Sequence, residues 1–393
     1  MHLLSGHHIP EHFDAVDEAH LRRIQPRSSK IIEHFRLNYP PTRTLQVHAA
    51  SPRTLLVLRD HPMSEQYDDV WRDPEGTGRR HADDWASKIR SWRTDPRWAV
   101  IPEEQIVVLG INEFPAWDDR GGPNEGNPAA VGVQVNDRYN RAFLLRLAQH
   151  GIRGGGGNIN TGWPANWGTD MPPVWGGYAG MFDAIAAGSH FYFGHEYWPH
   201  QGPGFRWGWL AGRTLTCPYD VPIIIGECGL EERVVDSTLP SSKWGWQGWL
   251  SAADYMTQLN EYNRRMMTDK RIHSLQVFSW DFSHPFDSVD VRPMLHLWPV
   301  NDAWDNMADY ERDAERKTFE ERLLAEAERQ QRIQFNTDAA LQKRIFADGF
   351  VPNSGEFEFE GHVAQRAEHL RTGEVRAYHV PIGQWDKVQY VRR

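Results

Sequence analysis

Short runs of apolar and β-branched residues alternate with amphipathic segments along the first 300 residues. The runs Ile-Val-Val-Leu-Gly-Ile at 106–111 and Pro-Ile-Ile-Ile-Gly at 222–226 lack strict alternation, which is typical of parallel strands buried on both faces. The pattern predicts eight strands, at 1–9, 29–35, 54–59, 105–112, 152–158, 190–196, 222–227 and 274–280.

Segments with helical periodicity lie between most of these strands, at 15–24, 81–92, 137–149 and 252–267. Eight strands, each followed by a helix or a long loop within about 300 residues, have the size and order of a (β/α)8 barrel. A doubly wound sheet shares the alternation, but the count of eight favours the barrel. We therefore predict an α/β fold, a (β/α)8 TIM barrel over residues 1–300.

The composition changes near residue 301, where the sequence becomes strongly charged. A thin apolar stripe at helical spacing crosses residues 308–346 and predicts a charged helical extension over 301–347. This helix packs along the barrel or forms a contact with a partner, such as the subunit interface of an oligomer. Short β-like runs after residue 349 predict a small β-rich tail over 348–393.

Composition and charge exclude several classes of protein. Hydrophobic residues make up 40% of the chain and charged residues 24%, which is the profile of a globular protein with a sizeable core. The net charge of −10 argues against a nucleic-acid partner. No apolar run reaches the roughly 20 residues that span a bilayer, so we expect no membrane partner. No secretory signal is visible, which predicts a cytoplasmic protein or one released by cell lysis.

Metal and cofactor signals are weak. Two cysteines, Cys217 and Cys228, exclude a four-cysteine metal site. His8 and His12 have the spacing of a zinc motif, but Pro10 between them would break the helix that this motif needs. Four glycines at 154–157 lack the Lys-Ser/Thr of a phosphate-binding loop and predict a strand end that closely approaches a ligand or a neighbour. We expect no metal and no cofactor.

Glu113 and Glu227 each follow an apolar run, at the point where a buried strand meets its C-terminal loop. In a barrel all strand C-termini open onto one face, and the fourth and seventh strands lie across the mouth from one another. Two carboxyl groups that face each other equip a cleft for glycoside cleavage: one protonates the leaving oxygen, and the other attacks or activates water. The alternative is that each glutamate is structural and pairs with an arginine such as Arg59.

Other strand ends carry side chains that suit a sugar. The amide of Asn112 can bond a sugar 2-hydroxyl, and the hydroxyl of Tyr197, which follows His195 at the sixth strand end, can orient a carboxylate on the seventh. Trp280 at the eighth strand end offers an indole as the floor for a pyranose ring.

The chain contains 18 tryptophans, many of them beside Gly and Pro in predicted loops. Indole faces stack on the C–H patches of sugars, so the cluster indicates a carbohydrate cleft, although core or loop packing is the better explanation for most single tryptophans. Of these we expect Trp163 and Trp198 to contact substrate, together with Arg59 and His61 near the third strand end.

The chain resembles the clan A glycoside hydrolases in the residues at the ends of four predicted strands. These are Asn112-Glu113 at the fourth, His195-x-Tyr197 at the sixth, Glu227 at the seventh and Trp280 at the eighth. The hydrolases of this clan are (β/α)8 barrels with a retaining mechanism. The resemblance covers roughly residues 1–300. It implies that Glu113 is the acid/base, that Glu227 is the nucleophile, that His195 and Tyr197 position the substrate and the nucleophile, and that Trp280 is the platform of the −1 subsite.

The sequence departs from this clan at two points. Asn-Glu-Pro reads Asn-Glu-Phe-Pro here, with Pro115 one position late, and the expected arginine near the second strand end is absent, although Arg36 follows directly. Arg59 on the third strand is an alternative for that arginine. The specific family and the sugar therefore stay open. Two other functions fit the same residues: a lytic enzyme that acts on cell-wall glycan, as in phage-type lysins, and a carbohydrate-binding barrel without turnover.

Overall fold

The computed structural model describes residues 4–9, 13–115, 131–161, 175–203, 212–232, 237–279, 287–298, 340–348, 350–352, 356–359, 362–369, 374–382 and 384–392. The chain divides into two compact units, Met1–Asp302 and Ala303–Arg393. No helix in the described ranges is both long and apolar enough to cross a membrane.

The first unit is a closed barrel of eight parallel strands in sequence order. Each strand pairs with the next along the chain, and the eighth returns to the first. The strands are β1 (Leu4–Ile9), β2 (Ser28–Glu33), β3 (Leu55–Asp60), β4 (Ile106–Leu109), β5 (Arg153–Ile159), β6 (Phe191–Trp198), β7 (Ile223–Leu230) and β8 (Ile272–Val277). The predicted (β/α)8 barrel is confirmed, and each predicted strand overlaps an observed one.

Helices connect the strands. They are α1 (Ala15–Ile24), α2 (Thr42–Ala50), α3 (His61–Ser64), α4 (Tyr67–Arg72), α5 (Pro74–Trp92), α6 (Pro96–Ala99), α7 (Val131–Gln149), α8 (Ala179–Gly188) and α9 (Ala252–Met266). Short 3-10 turns lie at Glu103–Gln105, Trp175–Tyr178, Arg213–Thr216, Ser241–Lys243, Trp246–Gly248, Asp287–Val289 and Arg292–Leu297. The segment after β3 is helical, because Asp73 caps the first turn of α5 through the Gly76 amide and Pro74 occupies its first position.

The interior of the barrel is apolar on one side and polar on the other. Alternate positions of β3, β4, β6 and β7 supply a buried apolar cluster of Leu55, Val57, Val107, Leu109, Phe191, Phe193 and Ile224. On β2 and β8 the buried residues Ser28, Ser274 and Gln276 bond to one another instead. Lys30, also on β2, is buried as well. A lysine inside a barrel requires a negative partner, and that partner belongs to the site described below.

The glycines of β5 make room for this interior. A Cβ on Gly155 would lie 2.4 Å from Cδ2 of Leu109 and 2.5 Å from Cδ2 of Phe193. The prediction that this glycine run closely approaches a neighbour is therefore confirmed, and the neighbours are core side chains of the adjacent strands.

The second unit contains a five-stranded antiparallel sheet, which confirms the predicted β-rich tail. Its elements are α10 (Ala340–Ala347), β9 (Val351–Pro352), β10 (Phe357–Phe359), β11 (His362–Glu368), β12 (Val375–Pro381) and β13 (Gln389–Arg392). Leu341 and Ile345 of α10 pack with Phe350 and Tyr378 into one apolar cluster. Residues 301–339, the larger part of the predicted charged helix with its predicted partner contact, lie outside the described residues.

Candidate active site

Glu113 follows β4 in an unusual backbone conformation. Its φ is +43°, which is uncommon for a residue with a side chain. The Glu113 amide donates a 2.9 Å hydrogen bond to the carbonyl of Asn158 at the end of β5, and the Ile111 amide donates to the Tyr139 hydroxyl at 3.1 Å. These bonds hold the carboxylate at the C-terminal end of the barrel, where its side chain is 36% exposed.

Glu227 lies within β7, and a β-bulge directs it toward the site. Gly194 of β6 pairs with Ile225 and His195 pairs with Glu227, so Gly226 is an extra residue in β7. Bulges of this kind re-aim side chains and are common beside active sites. The strand continues to Leu230, three residues past the predicted end. The Glu227 side chain is 6% exposed, in contrast to that of Glu113.

His195 connects the two carboxylates. Its Nδ1 lies 2.8 Å from Oε1 of Glu113 and 3.5 Å from Oε2 of Glu227. One oxygen of each glutamate and a ring nitrogen of His195 lie within 4.8 Å of one another. The ring is buried, and with both carboxylates ionised its Nδ1 carries the hydrogen, since a carboxylate can only accept. The structure thus brings the two predicted carboxylates together at one point.

Tyr197 contacts the same oxygen of Glu227 that His195 approaches. Its hydroxyl donates a 2.7 Å hydrogen bond to Oε2 of Glu227. Burial, reinforced by the charge of Glu227, raises the pKa of the Tyr197 hydroxyl well above its usual 10. The hydroxyl therefore keeps its proton at neutral pH and donates to Glu227.

Two cations face the remaining oxygen of Glu227. Lys30 Nζ lies 2.8 Å from Oε1, and Arg59 Nη1 lies 3.4 Å from the same atom. Arg59 also donates to Glu65 at 2.8 Å and to the Ser64 hydroxyl at 3.2 Å. Two positive charges and a hydroxyl donor stabilise the ionised form of a carboxylate that burial would otherwise disfavour.

Asn112 completes the group. Its backbone amide donates to the Ser64 carbonyl at 3.1 Å, which anchors the residue beside Arg59. The side chain is buried, and Oδ1 has no hydrogen-bond partner within the described residues. A buried amide oxygen without a partner costs free energy, so it is a natural acceptor for a ligand hydroxyl.

The predicted site residues thus fall into four groups, of which Trp198 alone forms the last. Those that meet around the carboxylates are Glu113, Glu227, His195, Tyr197 and Arg59, while Asn112 directly precedes Glu113 and has a buried side chain. His61 is exposed at the start of α3. Trp163 and Trp280 lie outside the described residues, so their predicted contacts stay predictions.

Trp198 requires a correction. The side chain is fully buried, its indole packs on Tyr262 with ring centroids 4.7 Å apart, and its Nε1 donates to Gln258 at 3.0 Å. As the last residue of β6 it follows Tyr197, and successive side chains of a strand point to opposite faces. Trp198 therefore belongs to the layer between strands and helices rather than to a substrate cleft.

Lys30 is the site residue that the sequence analysis missed. The segment Ser-Ser-Lys-Ile-Ile has a lysine at an inward position of a strand that is otherwise uncharged up to Ile32, and a buried lysine needs a carboxylate partner. Within the predicted strand, this lysine is the one residue that indicates a contact with a candidate catalytic carboxylate.

Glu113, His195 and Glu227 are also the residues that could hold a metal ion in the described part of the chain. Lys30 and Arg59 already neutralise Glu227 at 2.8 and 3.4 Å, and a divalent cation there would face both of them. The charge balance of this site suits a neutral ligand better than a cation.

Three solved structures are similar to this chain at low identity. A GH5-4 broad-specificity endoglucanase from Bacteroides salanitronis is 13% identical with a TM-score of 0.36, over 70% of this chain and 77% of that one. BuGH86 in complex with neoagarooctaose is 11% identical with a TM-score of 0.40, over 95% and 58%. A glutamate-to-glutamine mutant of Saccharomyces cerevisiae Gas2p with laminaritetraose and laminaripentaose is 10% identical with a TM-score of 0.37, over 75% and 61%.

This chain therefore spans less than two thirds of the second and third of these proteins. No protein-family model matches the chain, and no curated protein matches it in sequence. The strand topology of the chain itself establishes its fold. A function has to be inferred from the chemistry of its site.

Proposed function

We propose that this protein is a glycoside hydrolase that cleaves O-glycosidic bonds of a poly- or oligosaccharide with retention of configuration. The observation that carries the proposal is the pair of carboxylates, Glu113 and Glu227, with oxygens within 4.8 Å at the C-terminal mouth of the barrel. Retaining enzymes hold their two carboxyl groups about 5–5.5 Å apart, whereas inverting enzymes leave about 6.5–9.5 Å for a water molecule. A nearest oxygen pair within 4.8 Å fits the shorter of these two separations, which supports retention.

The environments of the two carboxylates support different roles. Glu227 is buried, faces Lys30 and Arg59, and accepts a bond from Tyr197, which suits an ionised nucleophile in a fixed position. Glu113 is more exposed and bonds to His195, which suits a group that exchanges protons with a substrate and with water.

The first step forms a covalent intermediate. An oxygen of Glu227 attacks the anomeric carbon while the bond from that carbon to the leaving oxygen breaks, and Glu113 in its acid form gives its proton to that oxygen. The product of this step is a glycosyl ester on Glu227, with Glu113 left as a carboxylate.

The second step releases the sugar. Glu113 takes a proton from a water molecule, the water oxygen attacks the anomeric carbon, and Glu227 leaves as a carboxylate. Two inversions give net retention. Asn112 Oδ1, buried and without a partner in the described residues, supports a hydrogen bond from the sugar 2-hydroxyl, which strengthens in an oxocarbenium-like transition state.

The test is a screen of aryl glycosides and soluble polysaccharides with detection of new reducing ends, followed by proton NMR of the first-formed anomer. We expect hydrolysis of at least one substrate class with retained configuration, and no hydrolysis by the Glu113→Gln, Glu227→Gln double variant. Inversion of configuration would overturn the retaining mechanism. Binding of glycans without hydrolysis would instead favour a carbohydrate-binding barrel.

A further inference from the structure

Among the carboxylates of the described residues, Lys30 forms an ion pair with Glu227. It lies at an inward position of β2, and its side chain is 0% exposed. Its Nζ donates to Oε1 of Glu227 at 2.8 Å and to the carbonyl of Gly226 at 3.3 Å. Both acceptors belong to the β-bulge of β7, so one ammonium group fixes the bulge and the carboxylate that the bulge presents.

Arg59 is less committed to Glu227. Its closest approach to Oε1 is 3.4 Å, and its other nitrogens donate to Glu65 and Ser64. A guanidinium also keeps its charge at every pH at which a protein is folded, whereas an ammonium can lose it. Of the two cations, Lys30 is therefore the closer to Glu227 and the one whose positive charge can be lost by deprotonation.

We infer that Lys30 is a positioning residue whose ammonium form holds Glu227 in its attacking geometry, and that loss of the Lys30 proton ends activity at alkaline pH. This inference rests on the proposed function. It gives the closer cationic contact of Glu227 to a lysine on β2, whereas the sequence offered Arg59 on β3 as one alternative.

The electrostatic surroundings agree with this role. The pKa of Lys30 is lowered from 10.5 to about 8: burial is the largest cause, Glu227 and the more distant Glu113 partly offset it, and Arg59 adds to the lowering. These are the charged groups that face Lys30 from β7, from β3 and from the segment after β4. Tyr197 and His195 of β6 contact Glu227 from the other side. The ammonium form therefore predominates below about pH 8 and disappears above it.

The kinetic test uses a dinitrophenyl glycoside of a sugar that the enzyme accepts. This leaving group needs no proton, so Glu113 does not limit the rate at high pH and the alkaline limb reports on the nucleophile. We expect Lys30→Met to lower kcat by about 100-fold with a smaller change in KM, as for the loss of one preorganised donor. Lys30→Arg restores part of the rate and moves the alkaline limb upward by at least about one pH unit, because arginine does not titrate there.

Lys88→Met is the matched control. Lys88 is a buried lysine on α5 that pairs with Asp60 and Asp84, away from Glu227. We expect this variant to lose stability while the alkaline limb stays in place. A Lys30→Met enzyme that keeps the wild-type kcat and the wild-type alkaline limb would overturn the inference and leave the proposed function intact.

A second measurement needs no activity. The chain has seven lysines, so NMR of protein labelled with ¹³Cε-lysine can follow each of them through a pH titration. We expect one resonance to titrate near pH 8, to be absent from Lys30→Met, and to titrate at lower pH in Glu227→Gln, where the countercharge is gone. If all seven lysines titrate near the ordinary value of about 10.4, the inference is wrong. The same titration in a protein without glycosidase activity would refute the proposed function and retain the Lys30–Glu227 pair.

Discussion

Nδ1 of His195 lies 2.8 Å from Oε1 of Glu113 and joins β6 to the segment after β4 across the mouth of the barrel. The same nitrogen is 3.5 Å from Glu227 on β7. Two strands and the segment that follows a third therefore converge on one hydrogen-bonding group. This convergence sets the short distance between the carboxylates, on which the proposed chemistry depends.

Glu227→Gln is expected to lower turnover by about ten-thousand-fold or more, because an amide oxygen cannot form the glycosyl ester. The fold should survive with reduced stability, since the amide keeps the size of the side chain but leaves the buried Lys30 without its countercharge. Steady-state kinetics and circular dichroism measure the two effects. Glu196→Gln is the matched control: Glu196 is a buried glutamate on β6 that accepts from Tyr262 at 2.6 Å and does not contact Glu227. It should lose stability and keep its activity.

Tyr197→Phe is expected to lower kcat by about 100- to 1000-fold with little change in KM, because it removes one donor to Glu227 and keeps the ring. The ring packs edge-on against Phe278 with centroids 5.8 Å apart, so the melting temperature should change little. Tyr262→Phe removes a comparable buried bond between tyrosine and glutamate, outside the site. Equal kinetic losses in both variants would show that Tyr197 acts through stability alone.

Glu113→Ala should affect substrates according to their leaving groups. Hydrolysis of a glycoside with a poor leaving group is expected to fall by about 100- to 10,000-fold, because the proton donor is lost. Formation of the glycosyl-enzyme from a dinitrophenyl glycoside should fall far less, and added azide should restore turnover and yield the glycosyl azide with retained configuration. A uniform loss on both substrates, without rescue, would remove Glu113 from the acid/base role.

The burial of His190 makes the free energy of unfolding depend on pH below about 6.5. Its ring is fully buried, Nδ1 accepts a 2.9 Å bond from the Gly154 amide, and burial is the main cause that lowers its pKa from 6.5 to about 4. Between these two pH values the unfolded chain binds a proton that the folded chain does not. Stability therefore falls as the pH drops from 6.5 to 4, by about 1.4 kcal/mol per pH unit for this one group.

Urea unfolding at pH 7 and pH 5 measures this effect. The wild-type protein should unfold at lower urea concentration at pH 5, and His190→Gln, which cannot titrate, should show a smaller difference between the two conditions. An unchanged difference in the variant would mean that His190 is not the group responsible, and His81, whose pKa burial also lowers to about 4, would be the next to test.

The barrel could be predicted from the sequence because parallel strands buried on both faces leave continuous apolar runs. The run at 222–226 marks β7, and the run at 106–111 marks β4. The pairing of Glu113 with Glu227 followed from the same pattern, since strand C-termini meet at one face whatever the details of register.

The remaining features depend on contacts between segments that are distant in sequence. The bulge at Gly226 becomes visible only when β6 and β7 are paired, and it decides where Glu227 points. In the sequence, Lys30 is indistinguishable from an exposed polar residue, and only the closed barrel shows that it is buried. Trp198 resembles a loop tryptophan because β6 extends two residues past its predicted end, which carries the indole into the core.

The most direct test is incubation with a panel of 2-deoxy-2-fluoro glycosyl fluorides, followed by intact mass and peptide mapping. These reagents accumulate the covalent intermediate of a retaining enzyme. We expect one label per chain, located on Glu227, and no label on the Glu227→Gln variant. A label on any other residue, or hydrolysis of a sugar from the panel with inverted configuration, would contradict the assignment of Glu227 as the nucleophile of a retaining glycoside hydrolase.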